Sequence, residues 1–429
     1  MVSIYVIGAG VTGLSFAASL GHAKVLEGSS IIGGKAASYG IDTPVGKFTF
    51  DVGGHWFHYQ NVPEVLQLLE GLPLQRHTRQ AFVYLEGKWF DFPLQQSYKK
   101  HEDSRFVNQI NRELIAIKEK EADRGGLFHN YLDMLLRSYG PTLFEYFFRD
   151  YNRKMFGVSD LAQIQVSQYE QIRNVRTDKN TAGYNSYFYY PQSPLGAQAI
   201  PGHLANHACI QFNSQVQSIH LHNRTITINE QTVPWDMVVS TMPLPKLISM
   251  LNGADSQITS LSRHLQASRG FILNLGVKKN PLHANKSWIY VSEMKYCCYR
   301  IGFYSNVQPS MAPEGYSSIY VECSPLYFKD EEEALSLWPR VIKDLISIGI
   351  IEDERDIVTM KPIYLEHNYC LPDDRITSRL RGYLQQHNIY SIGRYGSWHW
   401  SSQHEDMKQA IDLAKELKLT KRSFKAVSN

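Results

Sequence analysis

The chain has little cysteine, and no dithiol or metal-binding spacing. Its five thiols (Cys209, Cys297, Cys298, Cys323 and Cys370) form no CxxC pair. A disulfide framework, a zinc site and a dithiol redox centre are therefore not expected. An odd set of thiols with no secretory signal fits reduced cysteines and a cytoplasmic location. A large excess of charge of either sign is missing too. A net charge of +3 is too small to argue for nucleic acid or an anionic membrane. No apolar run approaches the ~20 residues that span a bilayer, so no stable membrane association is expected. The first strand reads from residue 4, and no targeting segment is expected ahead of it. Internal repeats, low-complexity linkers and a Ser/His/Asp signature are missing, and only one glycine-rich nucleotide fingerprint is present. A second, NAD(P)H-binding domain is excluded on that ground. What remains is an ordinary globular composition, 43% hydrophobic and 20% charged over 429 residues, with an aromatic content of 12% that includes 26 tyrosines. Most of those tyrosines are expected to be packing.

The most informative stretch is the first 35 residues. The apolar run Ile4-Tyr5-Val6-Ile7 leads into Gly8-Ala9-Gly10-Val11-Thr12-Gly13. A helical pattern through Leu14, Phe16, Ala17 and Leu20 follows, then a second apolar run ending at Glu27. Gly8 permits a tight turn, Gly10 lets backbone approach a diphosphate, and Gly13 allows close packing of helix on strand. The helix start offers N–H groups to phosphate. Glu27 stands ~20 residues after the first glycine, where an acid accepts hydrogen bonds from a ribose diol. A dinucleotide is expected here. Further glycine pairs follow at Gly33-Gly34, beside Lys35, and at Gly53-Gly54, before His55. A nicotinamide domain would instead enter another helix after the acid.

Along the chain the hydrophobic period changes repeatedly. Pro63 to Glu70 reads as a short helix, and residues 81–92 as a hairpin turning at Glu86-Gly87. Residues 97–175 turn helical, with a charged, solvated face around Lys118 to Glu121. Met237 to Pro243 reads as a buried parallel strand returning to the first sheet. Alternating strands are expected over 270–325, and an amphipathic helix over 330–349 with a break at Pro339. The fold class is α/β (α+β overall). A discontinuous Rossmann-like domain (1–75, 185–265 and 385–429) is expected with an inserted helical domain (97–184). An antiparallel sheet domain (76–96 and 266–384) completes the plan.

Several short motifs then fall in register. They are Phe50-Asp51-Val52-Gly53-Gly54-His55, Trp89-Phe90-Asp91-Phe92-Pro93-Leu94-Gln95, Tyr151-Asn152-Arg153-Lys154-Met155-Phe156, Asn185 to Pro191, Cys298 to Asn306, Tyr369-Cys370-Leu371-Pro372 and Gly393 to Trp398. Together they resemble the eukaryotic-type UDP-galactopyranose mutases, within the amine oxidase and protoporphyrinogen oxidase superfamily of FAD proteins. The resemblance runs from residue 4 to about 412. It implies noncovalent FAD, active when reduced, with NADPH or a separate reductase as electron donor. It also implies conversion between pyranose and furanose forms of a UDP-hexose through an adduct at flavin N5, without net redox change. The partner is a nucleotide-sugar substrate, and a homo-oligomer is compatible with the sequence.

The same resemblance distributes roles. Gly8, Gly10, Gly13, Glu27, Gly34, Lys35, Gly54, His55, Val216, Gly393, Arg394 and Met407 are the expected FAD positions. Gln95, Phe92, Asn152, Phe156, Asn185, Tyr290, Tyr369 and Trp400 are expected around the substrate. His55, Arg300 and Arg173 are the expected catalytic residues, Arg300 as a diphosphate clamp in preference to a structural ion pair. Arg173 reads equally well as a surface arginine, and Asn152 as a buried capping residue. His58 is read as structural. The chain also departs from the pattern: Phe156 replaces an indole, Trp400 a tyrosine, His399 lies in an altered segment, and Lys35 replaces an arginine. These changes surround the substrate, so a different nucleotide sugar is compatible with them. An FAD-dependent amine oxidase or dehydrogenase is the alternative reading, and a non-catalytic FAD-bound scaffold a third.

Overall fold

A computed structural model describes residues 2–58, 62–121, 127–166 and 186–427. The opening motif forms strand β1 (Ile4–Ile7), helix α1 (Val11–Leu20) and strand β2 (Lys24–Leu26). The two strands belong to a five-stranded parallel sheet ordered Ile389–Ser391, Met237–Ser240, β1, β2, Cys209–Gln211. The expected return of the chain at Met237 is thus found, as the immediate neighbour of β1. The long C-terminal helix Gln403–Val427 packs along α1, burying Met407, Ala410, Ile411 and Ala414 with Leu14, Phe16 and Ala17. A four-stranded sheet, formed by Val216–His220, Thr225–Ile228, Gln231–Pro234 and Leu251–Asn252, flanks this unit.

The second large layer is a seven-stranded sheet. Its order is Ile357–Leu365, Gly270–Lys278, Tyr316–Cys323, Cys298–Phe303, Trp288–Val291, Ala81–Leu85, Lys88–Asp91. The expected hairpin supplies its last two strands. The sheet is not purely antiparallel, because Trp288–Val291 and Ala81–Leu85 run parallel. Nor do its central strands alternate as expected: Gly270 to Val277 is buried throughout. One face packs against the helix Trp338–Ile348, and the other against Phe48, Phe50 and Tyr304, so both faces are core. The break in the 330–349 helix falls at Leu337, and Pro339 lies in the first turn of the second helix. That position has no N–H obligation and suits proline. The helical region packs Tyr131–Leu143 and Arg149–Phe156 over the edge of the sheet through Phe147, Phe148 and Phe156.

Candidate active site

The turn after β1 is shaped by contact. Gly8 holds φ +102°, and a Cβ there would stand 2.5 Å from Thr241 Oγ1. A Cβ on Gly13 would stand 2.1 Å from the Gly8 carbonyl oxygen, so α1 sits against the turn only because that position is glycine. Gly10 is different. Its φ of −77° suits any residue, and a Cβ added there would find its nearest atom 3.8 Å away, on Gly33. Gly34 faces Gly10 across the same gap, its Cβ position 3.6 Å from Gly10 Cα. Neither protein packing nor backbone angle explains glycine at Gly10; a ligand lying on the backbone does. No side chain caps α1, leaving its first N–H groups for an anion.

Glu27 closes the cradle. One carboxylate oxygen accepts the Ala9 N–H at 2.8 Å, the other the N–H and hydroxyl of Ser29, both at 2.9 Å. Its remaining lone pairs are available to a diol. Ser214 donates its N–H to the Glu27 carbonyl at 2.7 Å, which brings neighbouring Val216 to this end of the cradle. At the other end stand Lys35 and Arg394. Burial, with the nearby guanidinium of Arg394 acting in the same direction, lowers Lys35 to about 8. Arg394 donates from Nε and Nη2 to the Ser401 carbonyl at 3.0 and 2.5 Å. Gly393 is anchored by its N–H to Gln409 Oε1 at 2.7 Å.

His55 lies where this cradle meets the large sheet. Its Nε2 is 2.7 Å from the Val52 carbonyl, an acceptor only, so Nε2 carries the proton and Nδ1 holds a lone pair. Burial pushes its pKa down to about 4, helped by the charges of Arg394, Lys35 and Arg300, so the imidazole is neutral at pH 7. The loop is held from behind. Tyr304 donates to the Asp51 carbonyl at 2.9 Å and accepts the Gly53 N–H at 3.2 Å. The buried Asp51 carboxylate takes bonds from Tyr190 at 2.5 Å, Ser38 at 2.7 Å and the Ala197 N–H at 3.1 Å.

Facing that loop, three adjacent strands present one cross-strand row. Tyr290 is opposite Arg300, and Arg300 opposite Glu322. A Cβ on Gly53 would stand 3.3 Å from Glu322 Oε1, so the row lies directly under the loop. Arg300 Nη2 bonds both Glu322 oxygens, at 2.7 and 2.5 Å, and the Tyr369 hydroxyl at 3.1 Å. Its Nε is buried without a partner. Phe92 packs on Tyr290 at 4.5 Å between ring centres, with the Arg79 guanidinium over its ring at 5.0 Å. Tyr151 meets Tyr290 edge-on. Next to Phe92, Gln95 is buried and its Oε1 has no partner. Phe92, Tyr151, Tyr290, Arg300, Tyr369 and Trp400 are each only half-buried. Ring contacts, together with the Arg300–Tyr369 bond, join them through Phe156 into one partly exposed cluster, the candidate cleft.

Residues 11–359 match the family of flavin containing amine oxidoreductases. The chain belongs to that family. Solved structures agree with the fold. A reduced UDP-galactopyranose mutase is 23% identical and matches with a TM-score of 0.82, over 97% of this chain and 95% of its own. A putative protoporphyrinogen oxidase from Exiguobacterium sp. 255-15 is 14% identical, TM-score 0.72, over 98% and 99%. Cyclohexylamine oxidase from Brevibacterium oxydans IH-35A is 13% identical, TM-score 0.69, over 97% and 99%. The mixed α/β architecture expected from the sequence is therefore that of this flavoprotein family.

The cradle fits the family's flavin cofactor, FAD: open backbone at Gly10 and Gly34, free N–H groups on α1, an acid at Glu27, and cations at Lys35 and Arg394. Met407 is fully buried in the core beside α1, so its side chain acts by packing. Around the substrate the expectations need correction. Arg300 does form the ion pair that was discounted, because Glu322 stands opposite it in register. Asn152 is engaged internally, donating to the Phe148 carbonyl at 2.6 Å and accepting from Tyr131 at 3.1 Å. Trp400 donates Nε1 to the Cys370 carbonyl at 2.5 Å and stacks on Phe156 at 5.1 Å. Arg173 and Asn185 lie outside the described residues. Glu322, Arg79 and Tyr151 were missed. A lone acid in the apolar strand Tyr316–Cys323 was the available signal for Glu322. Among the described residues no cluster of three His, Cys, Asp or Glu side chains could hold a metal, and no helix is long and apolar enough to cross a membrane.

Proposed function

We propose that the chain is an FAD-dependent mutase that interconverts the pyranose and furanose forms of a nucleotide-bound hexose, UDP-galactose-like, without net redox change. The observation that carries this reading is the buried, unpartnered Nε of Arg300, on a guanidinium whose Nη2 bonds the Tyr369 hydroxyl opposite the His55 loop. In this reading the active cofactor is reduced, with NADPH or an external reductase as donor. FAD so bound supplies an electron-rich ring nitrogen able to attack a sugar carbon. Arg300 binds the diphosphate and stabilises the charge that grows as it leaves. Tyr290 and Tyr369 add neutral donors. His55 holds its proton on Nε2 and presents Nδ1 as an acceptor for a sugar hydroxyl. Gln95 Oε1 accepts an N–H from the base, and Phe92 covers a base or ribose face. The aromatic walls limit water around the reacting carbon.

An FAD-dependent amine oxidase or dehydrogenase is the second reading, and Glu322 favours it by neutralising Arg300. Against it, the cations Lys35 and Arg394 stand near His55, a setting that disfavours an ammonium substrate. Anaerobic reduction with dithionite, addition of UDP-galactofuranose and other nucleotide sugars, and chromatography of the products separate the two. Isomerisation only with reduced protein supports the mutase. Bleaching of oxidised flavin by amines, with no isomerisation, supports the oxidase.

A further inference from the structure

The far end of the cleft has an unusual chemical character. Phe156 lies nearly parallel to Trp400, 17° between planes, and covers one indole face. Tyr131 meets the same indole edge-on at 5.6 Å. The polar atoms of this wall are already engaged: Trp400 Nε1 with the Cys370 carbonyl, the Tyr131 hydroxyl with Asn152, and Asn152 Nδ2 with the Phe148 carbonyl. Trp400 nevertheless stays half-buried, so what it offers to a ligand is apolar ring. The wall joins the diphosphate clamp directly, because Phe156 packs edge-on against Tyr369 at 6.0 Å, and Tyr369 bonds Arg300. A group extending past Tyr369 from a diphosphate held at Arg300 would therefore meet hydrocarbon. A hydroxyl there would give up water for no partner, whereas a methyl group would pack.

From this wall we infer the substrate class: a nucleotide diphosphate 6-deoxyhexose, with its methyl group seated on Trp400. The inference rests on the mutase reading and narrows it. It does not alter the reaction: the anomeric carbon–oxygen bond to the diphosphate breaks and re-forms, and between those events the ring carbon–oxygen bond is exchanged for one to another hydroxyl of the same sugar, with no atom gained or lost. An apolar wall rejects an added hydroxyl by about tenfold to a hundredfold.

The test uses the FAD-loaded, reduced protein with UDP, UDP-galactose and UDP-6-deoxy-D-galactose. Affinities come from competition against a fluorescent UDP probe, and kcat/KM for each sugar from chromatography. Preference for the deoxy sugar by tenfold or more in kcat/KM supports the inference. Equal use of both sugars, or preference for UDP-galactose, overturns it while leaving the mutase reading intact. Failure of UDP and both sugars to compete, with flavin still bound, overturns the mutase reading itself and the inference with it. Trp400→Tyr adds a hydroxyl to the wall and should narrow the preference, whereas Trp400→Phe should keep it. Should the tyrosine variant not fold, the wild-type comparison still decides.

Discussion

The cradle and the cleft are assembled in different ways. The core of the cradle, Gly8–Lys35, is one continuous stretch of chain that works largely through backbone N–H groups and open space above glycine, with Arg394 joining it from afar. The cleft uses side chains from strands and loops far apart in sequence, and its charge balance depends on which strands are neighbours. A local turn tolerates no added atom where helix meets strand, and most of its geometry is set within the turn itself. A cross-strand row tolerates changes of shape, yet each charge depends on its opposite number.

The sharpest way to break this contrast is at Gly13. Gly13→Val should abolish FAD retention and destabilise the fold by about 3 kcal/mol or more, since its Cβ meets the Gly8 carbonyl. Flavin absorbance and thermal melts check it; a variant that stays yellow with an unchanged Tm would refute the packing argument. Arg300→Ala should keep FAD but weaken UDP binding by about 2–5 kcal/mol. The same variant leaves Glu322 buried and unpaired, so Arg300→Met with Glu322→Gln should recover stability without recovering binding. Recovery of both would show that Arg300 acts only as a structural ion pair.

Asp51 offers a test by pH. Burial is the leading cause that raises it to about 6, against hydrogen bonds from Tyr190, Ser38 and Ala197. The unfolded value is ~4, so the folded state binds the extra proton between roughly 4 and 6. Its contribution to stability therefore falls as pH rises through that window and levels off above it. In urea unfolding, the stability of the wild type minus that of Asp51→Asn should drop by roughly 1–3 kcal/mol from about pH 4 to about pH 7. A constant difference would remove the buried carboxylate from the account.

Lys35 gives a smaller effect on the cradle side. Lowered to about 8, it must be protonated to hold a diphosphate, so FAD affinity should fall by up to ~tenfold per pH unit above 8. Lys35→Arg should flatten that slope in flavin titrations. The mildest change is Phe92→Ala, expected to weaken UDP binding by ~5-fold through lost ring contact. No loss would place the base elsewhere.

How much was legible divides along the same line. Gly8, Gly10, Gly13 and Glu27 were readable because a nucleotide turn is local: spacing along the chain is spacing in space. The place of His55 near Lys35 and Arg394 was readable because it follows directly on Gly53-Gly54. Glu322 was not, since its meaning comes from standing opposite Arg300, 22 residues away by number but adjacent by register. The polar donors of Trp400 and Asn152 could not be assigned from sequence either; in the fold they face Cys370 and Phe148 within the protein.

The sequence alone therefore determined the cradle, the order of its elements and the flavoprotein family, because these rest on short-range sterics and periodicity. Only the tertiary structure decided which cations stay available to a ligand and which wall of the cleft is apolar. Those properties belong to pairs of groups, and strand register and helix docking decide which groups meet.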